Sequence, residues 1–486
     1  MDSFVLFHRE TLTYHFAAMT PILAKHFNII HVAYSQKEVK ILKARGITNI
    51  HYIFKDYVKK QWNKEKRDDD LLRQIDNLFI EMTDGRFNLN GSINSDRGFI
   101  YLTYEESLLL AQIYYKFWEQ VFSDQTIKFI IHEVTSAFMS HICAIIGKKM
   151  GVRYLYLSLQ KSKDYKYSFM PMESDIYHSP LLDSLYNKYL VHPDTINVTR
   201  CAEFLEYCNK DLSIFNPLMF NKKKKLIGLW YKAFKEKIRL YFLRNKYDRI
   251  TDNLDYFLVH QFEHKKRYQN IKQYIKHITF HLPQKNEKYY FYPLHLEPEA
   301  TLFYLSGGWY TNQVKLIENI ARQLPVGTVL YVKDHPHEYG YRDVQDYIKL
   351  QNIPNVRLIE RAIPAKKIIK DAIGIFTVIG SAGFEGLFLA KPVYTFSPSY
   401  YSVCKNVTYI KDIQDIRKII YFDSNKQMDN TALYSYVNAF LDCIYPGMAN
   451  VFTSDVSIYG LELDENASDL AKGIINYIEK TKDYDL

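Results

Sequence analysis

The chain has 486 residues, which at roughly 100–200 residues per domain makes room for two or three domains. Hydrophobic residues make up 47% and charged residues 24%, a globular balance that gives no reason to expect long disorder. The net charge of +9 suits nucleic acid, an anionic membrane surface or an anionic substrate. There is no zinc-finger spacing, no RNP-type aromatic strand and no long Arg-rich arm, so a nucleic-acid partner is not expected. The five cysteines, Cys143, Cys201, Cys208, Cys404 and Cys443, are few, odd in number and scattered. This argues against a disulfide framework or a CxxC metal site and makes a reducing compartment the default. Met1 to His8 reads as an apolar strand rather than a signal peptide, and no run of about 20 uninterrupted apolar residues offers a membrane span.

In chain order, Phe4–Phe7 reads as a strand and Leu12–His26 as a helix interrupted by Pro21. Asn28–Tyr34 is a strand, Lys37–Arg45 a helix stopped by Gly46, and Asn49–Phe54 a strand. Leu71–Thr83 and Glu105–Phe122 are helical, Ile127–Ile131 is a buried strand, Ser136–Met150 a helix and Val152–Leu157 a strand. Strands and helices alternating at this pitch imply βαβ units on a parallel sheet. From about Gln160 to Lys288 the chain is rich in Lys, Tyr and Asp, and we expect a mostly helical insertion and interdomain connection.

Alternation resumes from Tyr289. Strands are expected at Thr301–Leu305, Thr328–Lys333, Val356–Ile359, Gly374–Ile379 and Pro392–Phe396. Helices are expected at Asn312–Gln323, Tyr341–Gln351, Ala365–Asp371 and Phe384–Leu389. This is a doubly wound half, in which ligands lie beyond the carboxyl ends of the strands.

Clusters of polar residues fall at strand ends, and one, Pro293 to Glu299, sits just before the strand Thr301–Leu305. Lys333-Asp334-His335-Pro336-His337 follows a strand, where Lys and His suit a phosphate and Pro336 would stiffen the turn. Gly380-Ser381-Ala382-Gly383-Phe384-Glu385-Gly386 joins an apolar strand to a helix. Its small residues would let an anion approach the helix start, Ser381 would cap the helix, and Glu385 suits ribose hydroxyls; an ordinary tight turn is the alternative. Pro293-Leu294-His295-Leu296-Glu297-Pro298-Glu299 is a restricted segment whose His295 and Glu299 either face an acceptor or brace the domain linker. In the N-terminal half, His132 and Glu133 follow one strand, and His8, Arg9 and Glu10 follow another. Glu133 or His132 is the candidate general base for an acceptor hydroxyl, and His8 and Arg9 are candidate acceptor contacts; polar capping of a strand end is the alternative. Asp-x-Asp spacing occurs at Asp68-Asp69-Asp70 and Asp483-Tyr484-Asp485, neither after an apolar strand, so no metal site is expected. Lys222 to Lys246 is basic and carries Trp230, Phe234 and Phe242, fitting either an anionic bilayer surface or a solvated helix with a core-facing stripe.

From Tyr289 to Ser402, the landmarks Pro293-Leu294-His295, Pro298-Glu299, Lys333-Asp334-His335-Pro336, Gly380 to Gly386 and Lys391-Pro392-Val393 together resemble the bacterial capsule polysaccharide biosynthesis family of GT-B glycosyltransferases. They are similar, more distantly, to the bacterial sialyltransferases. The resemblance implies a GT-B architecture: two Rossmann-like domains with parallel sheets facing across a cleft, plus the helical insertion. With the strand and helix pattern, the expected domains are 1–160 (acceptor), 161–288 (insertion and interdomain connection) and 289–486 (donor, with closing C-terminal helices). The resemblance also implies transfer from a CMP-, UDP- or GDP-sugar to a growing surface glycan or lipid-linked acceptor, on the cytosolic face of the inner membrane. Carried over, His335 and Ser381 would bind the donor phosphate, with His335 stabilising the departing nucleotide, and Glu385 would hold the ribose or base; Lys333, Pro336, Gly380, Ala382, Gly383 and Gly307 are the further candidate nucleotide-sugar contacts. No cofactor is expected, because the nucleotide-sugar is itself a substrate. The rival readings are a nucleotide-sugar epimerase on the same fold and a non-catalytic scaffold of a polysaccharide export complex.

Overall fold

The computed structural model of the chain describes all residues except 100–101, 175–176, 211–266, 268, 298, 300, 336–337, 424–427, 450–454 and 485–486. Its strands in chain order are β1 (Ser3–His8), β2 (Asn28–Ala33), β3 (Tyr52–Ile53), β4 (Ile127–Ile131), β5 (Arg153–Gln160), β6 (Ser168–Glu173), β7 (Lys288–Pro293), β8 (Thr328–Lys333), β9 (Val356–Leu358), β10 (Gly374–Thr377), β11 (Val393–Thr395), β12 (Val407–Tyr409) and β13 (Tyr445–Pro446). They form two sheets, ordered β13-β6-β5-β4-β1-β2-β3 and β12-β11-β10-β7-β8-β9. The second sheet is wholly parallel, whereas β6 and β13 enter the first antiparallel to their neighbours. The two sheets were expected to be parallel, and this antiparallel edge is a departure.

The chain divides into two compact units, residues 1–185 with 439–486, and residues 186–438. Two doubly wound α/β units in one chain match the GT-B class expected. The boundaries differ from those read in the sequence. Residues 161–185 contribute β6 to the first unit rather than to an insertion, and 439–486 return to the first unit rather than closing the second. Of the expected insertion, Pro180–Val191 and Val198–Lys210 are helices. The basic stretch Lys222–Lys246 lies outside the described residues.

Strand order reverses between β1 and β4 in the first sheet and between β7 and β10 in the second, which marks each sheet's switch point. The central strands are apolar runs covered on both faces, as in β1, where all six residues are buried. Phe4 packs edge-on against Phe27, and Phe7 against Trp118. β7 is built differently, from tyrosines. Tyr289 stacks on Tyr331 of β8 with ring centroids 3.9 Å apart and donates its hydroxyl to the Ile368 carbonyl at 2.7 Å. The opening strand of the second sheet is therefore Lys288–Pro293. Thr301–Leu305, expected as that strand, is a π-helical turn, with the Ser306 amide donating to the Thr301 carbonyl at 3.0 Å. Its Leu302, Tyr304 and Leu305 are buried, so the apolar pattern reports burial and not strand pairing.

The returning segment is tied into the first unit by a buried polar knot. Glu173 of β6 is ion-paired with Arg153 of β5 and accepts the Tyr477 hydroxyl at 2.7 Å, and Arg153 also reaches Thr481 Oγ1 at 2.6 Å. Gly473 lies so close to Phe169 that a Cβ there would come within 2.6 Å of the ring. All five cysteines are buried free thiols, and among the described residues no helix is long and apolar enough to cross a membrane. Replacing Tyr477 by Phe removes a hydroxyl donor to a buried carboxylate and should cost about 1.5–3 kcal/mol. Chemical denaturation followed through the first unit's signal checks this; an unchanged midpoint would show that the hydroxyl contributes nothing.

Candidate functional site

The second unit gathers polar side chains where the carboxyl ends of β10, β7 and β8 lie side by side. At β10, the chain turns through residues 378–380 into the helix Ser381–Phe388. Gly380 is the cap residue and no side chain caps this helix, so Ser381 does not cap it; it is the first helical residue and is exposed. The first amides of a helix have no intrahelical acceptor and carry the positive end of its dipole.

The small residues of this turn face the protein. A Cβ on Gly380 would come within 2.8 Å of His295 Cε1, one on Gly383 within 2.7 Å of Tyr401 Oη, and one on Gly386 within 2.7 Å of Ile375 Cδ1. These glycines therefore serve close packing of the helix on its sheet, and Ala382 is buried as well. That corrects the expectation that they are small to admit an anion. The turn is pinned by Thr377, whose Oγ1 accepts the Gly380 amide at 3.0 Å, and by Tyr401, whose hydroxyl donates to the Gly380 carbonyl at 2.9 Å. Glu385 is half-buried on the helix's second turn.

β7 ends at Pro293, and His295 follows it, buried between the other two strand ends. Its amide donates to Gln313 Oε1 at 2.8 Å, and its carbonyl accepts from Gln313 Nε2 at 3.2 Å and from Arg342 Nη2 at 2.9 Å. His295 thus belongs to this cluster and is not a brace of a domain linker. Burial first, then the neighbouring His335 and Arg342, pushes its pKa down to about 3, so the ring is neutral at working pH.

Arg342 holds the arrangement together and was not singled out in the sequence. Its buried guanidinium bonds Asp334 Oδ1 at 3.3 Å through Nε and lies 3.1 Å from Glu297 Oε2 through Nη1. Asp334 also accepts the Tyr347 hydroxyl, Glu297 accepts from Gln313, and the Arg342 carbonyl accepts the Tyr274 hydroxyl. The Asp334 carboxylate receives the His335 amide at 2.9 Å, which sets the turn carrying His335, a half-buried side chain. Lys333 is buried, with its pKa lowered by desolvation. Glu338 is buried beside them, and desolvation lifts its pKa to about 7. Pro336 and His337 lie outside the described residues. Gly307 and Gly308 both take left-handed φ angles, of 73° and 75°, in the loop after the π-helical turn. Glu299 is half-buried, with its carbonyl accepting the Leu302 amide at 3.1 Å at the start of that turn.

In the first unit, the switch point brings Arg9 and Glu133 into an ion pair. Glu133 also accepts the Ser136 hydroxyl at 2.9 Å, and the guanidinium lies over the Tyr34 ring at 5.4 Å. His132 does not share this setting. It is 2% exposed, packs on Phe7 with ring centroids 4.2 Å apart, and is held neutral by burial and then by Arg9. An imidazole buried in this way cannot meet an acceptor hydroxyl, which removes His132 as a candidate base. His8 is likewise buried, with Nε2 2.9 Å from His31 Nδ1, so it supports the sheet instead of meeting an acceptor. Arg9 and Glu133 keep accessible edges, with side chains 12% and 17% exposed. Asp68 caps the helix Asp69–Met82, accepting the Asp70 and Leu71 amides, while Asp69 and Asp70 pair with Arg67 and Arg73. Among the described residues no group of three or more His, Cys, Asp or Glu could hold a metal ion.

Residues 226–422 match the family described as "Capsule polysaccharide biosynthesis protein". No curated protein matches the chain. Among solved structures it is similar to a β-Kdo 2,7 transferase, KpsC, of Thermosulfurimonas dismutans, at 10% identity and a TM-score of 0.32, covering 78% of this chain and 95% of that one. It is also similar to a glycosyltransferase of Rickettsia africae ESF-5, at 9% identity and a TM-score of 0.30 over 99% of each chain. A third is UDP-GlcNAc 2-epimerase of Neisseria meningitidis bound to UDP-GlcNAc, at 12% identity and a TM-score of 0.28, covering 99% of this chain and 100% of that one. Likenesses this remote assign no reaction.

Two outcomes follow from the charges. Arg342→Met strands the buried Asp334 carboxylate and should destabilise the second unit by about 3–5 kcal/mol, read from a denaturant midpoint. Glu338 is protonated more readily in the folded than in the unfolded chain, so its contribution to stability is full at pH 4 and is lost as pH rises through about 7. Glu338→Gln should flatten that fall, and identical pH–stability curves for variant and wild type would contradict the assignment.

Proposed function

We propose, from the match of residues 226–422 to the capsule polysaccharide biosynthesis family, that the protein is a glycosyltransferase that moves a sugar from a CMP-, UDP- or GDP-sugar to a growing capsule or related surface glycan. The observation that carries this reading is the uncapped helix start at Gly380–Ser381, set at the carboxyl end of β10 at the second sheet's switch point, with His335 two strands away at the end of β8. A helix start of this kind favours a phosphate through free amides and dipole. Charge growing on the departing nucleotide would be stabilised there by the amides, the Ser381 hydroxyl and His335. Glu385, half-buried on the same helix, is an acceptor suited to ribose hydroxyls. Groups of this kind act without a bound metal. The protein would work on the cytosolic face of the membrane, with the basic stretch Lys222–Lys246 attracted to anionic lipid.

CMP, UDP or GDP at about 100 times its Kd should stabilise the protein by about 2.7 kcal/mol, which a melting screen detects. His335→Ala and Ser381→Ala should each lower nucleotide release from the matching sugar donor by about 10²–10³-fold with little change in melting temperature. Wild-type turnover in both variants would refute the site.

A further inference from the structure

One edge of the His295 ring is left over when its contacts are counted. The backbone of this residue is held by Gln313 and Arg342, and its side chain is buried. Nε2 lies 3.3 Å from Thr377 Oγ1. Among the described residues nothing bonds Nδ1, and the Cε1–Nδ1 edge faces Gly380, the residue from which the helix starts. The position of a Cβ on Gly380 is 2.8 Å from Cε1 and 3.5 Å from Nδ1. A residue 93% buried thus sets its Cε1, and beside it a ring nitrogen with no partner among the described residues, against the uncapped helix terminus.

Thr377 decides which nitrogen carries the proton. Its hydroxyl already accepts the Gly380 amide, and it is wholly buried. The hydroxyl's single proton has one described acceptor, the lone pair of His295 Nε2. If Nε2 carried the ring proton instead, the buried hydroxyl proton would have no acceptor, an arrangement that costs about 1–3 kcal/mol.

The geometry points to His295 as an Nδ1–H donor to the phosphate bound at the Gly380–Ser381 helix start, with Thr377 as the positioning residue that sets its tautomer. This rests on the donor-site reading above. The ring donates without carrying charge, because burial, His335 and Arg342 keep it neutral. Arg342 Nε and Nη2 are already taken by Asp334 and the His295 carbonyl, and its Nη1 lies 3.1 Å from Glu297 Oε2.

The test compares two side chains that present an amide N–H at different places. An Asn amide reaches the position of Nδ1, and a Gln amide that of Nε2. Calorimetric titration with CMP, UDP and GDP identifies the nucleotide the wild type binds. For that nucleotide His295→Asn should stay within about threefold of wild type, and His295→Gln should weaken binding on the order of tenfold or more, as for a lost hydrogen bond to a charged group. Equal affinities in the two variants, with wild-type melting temperatures, would overturn the role of His295 and leave the donor site standing. No binding of any of the three nucleotides by wild type would overturn both. Should His295→Gln not fold, nitrogen-15 spectra of histidine-labelled protein decide, with His295→Asn identifying the signal. A neutral ring protonated on Nδ1 in the wild type and in Thr377→Ser, but shifted toward Nε2 in Thr377→Val, is expected; an Nε2-protonated ring in the wild type would overturn the proposal.

Discussion

The second unit's polar cluster depends on one buried guanidinium. Arg342 lies among Asp334, Glu297 and the carbonyl of His295, three groups that follow two neighbouring central strands. Removing a carboxylate from water costs several kcal/mol, so the buried Asp334 needs its cation, and the half-buried Glu297 adds a second partner for the same guanidinium. The arginine therefore obliges the loops after β7 and β8 to close in one way. The closure carries over to both imidazoles, because His295 is held through its own carbonyl and the turn at His335 is set by the Asp334 carboxylate. Gly340, with a φ of 94°, lets the chain bend tightly beside Arg267 just before the arginine. Asn270 and Tyr274 then hold the carbonyls of that bend from outside.

The turn at Gly380 separates two roles that glycine-rich loops can combine. Here the absence of side chains at positions 380, 383 and 386 is accounted for by protein neighbours, namely His295, Tyr401 and Ile375. Glycine composition alone is thus no evidence of a ligand at this turn. What remains available to one is the backbone itself, the Ser381 hydroxyl and the His295 edge that has no partner among the described residues. The structure moves the functional weight from the small residues to the polar groups they allow to come close.

Much of this was legible in the chain. β1, β2, β4, β8 and β10 are apolar runs bounded by turn residues, and each falls within a residue or two of where the pattern puts it. The strand ends, and with them His335, Ser381, Arg9 and Glu133, follow from that. β7 escaped because its tyrosines spread polarity along a buried strand, while Thr301–Leu305 imitates a strand with β-branched, aromatic and aliphatic residues. β13 is two residues long and has no pattern to read. Arg342 sits in the polar run Tyr339-Gly340-Tyr341-Arg342-Asp343, which looks like surface, and a charged residue declares burial only when its partners are known. The only hint was Asp334, a carboxylate directly after a buried strand that needs a cation nearby. His132 and His8 failed for a related reason: adjacency to a strand end does not say which face a side chain takes, and both turn into the core.

The antiparallel edge of the first sheet bears on how the polypeptide is made. β6 gains its outer neighbour only when Tyr445 and Pro446 arrive, and the helix Leu463–Lys480 supplies Tyr477 to Glu173 later still. The second unit, residues 186–438, is contiguous and can collapse during translation once its last residue clears the ribosome. The first unit cannot. The segment translated earliest must wait with an open strand edge and a half-satisfied Glu173–Arg153 pair, and it becomes whole last, after its inserted companion.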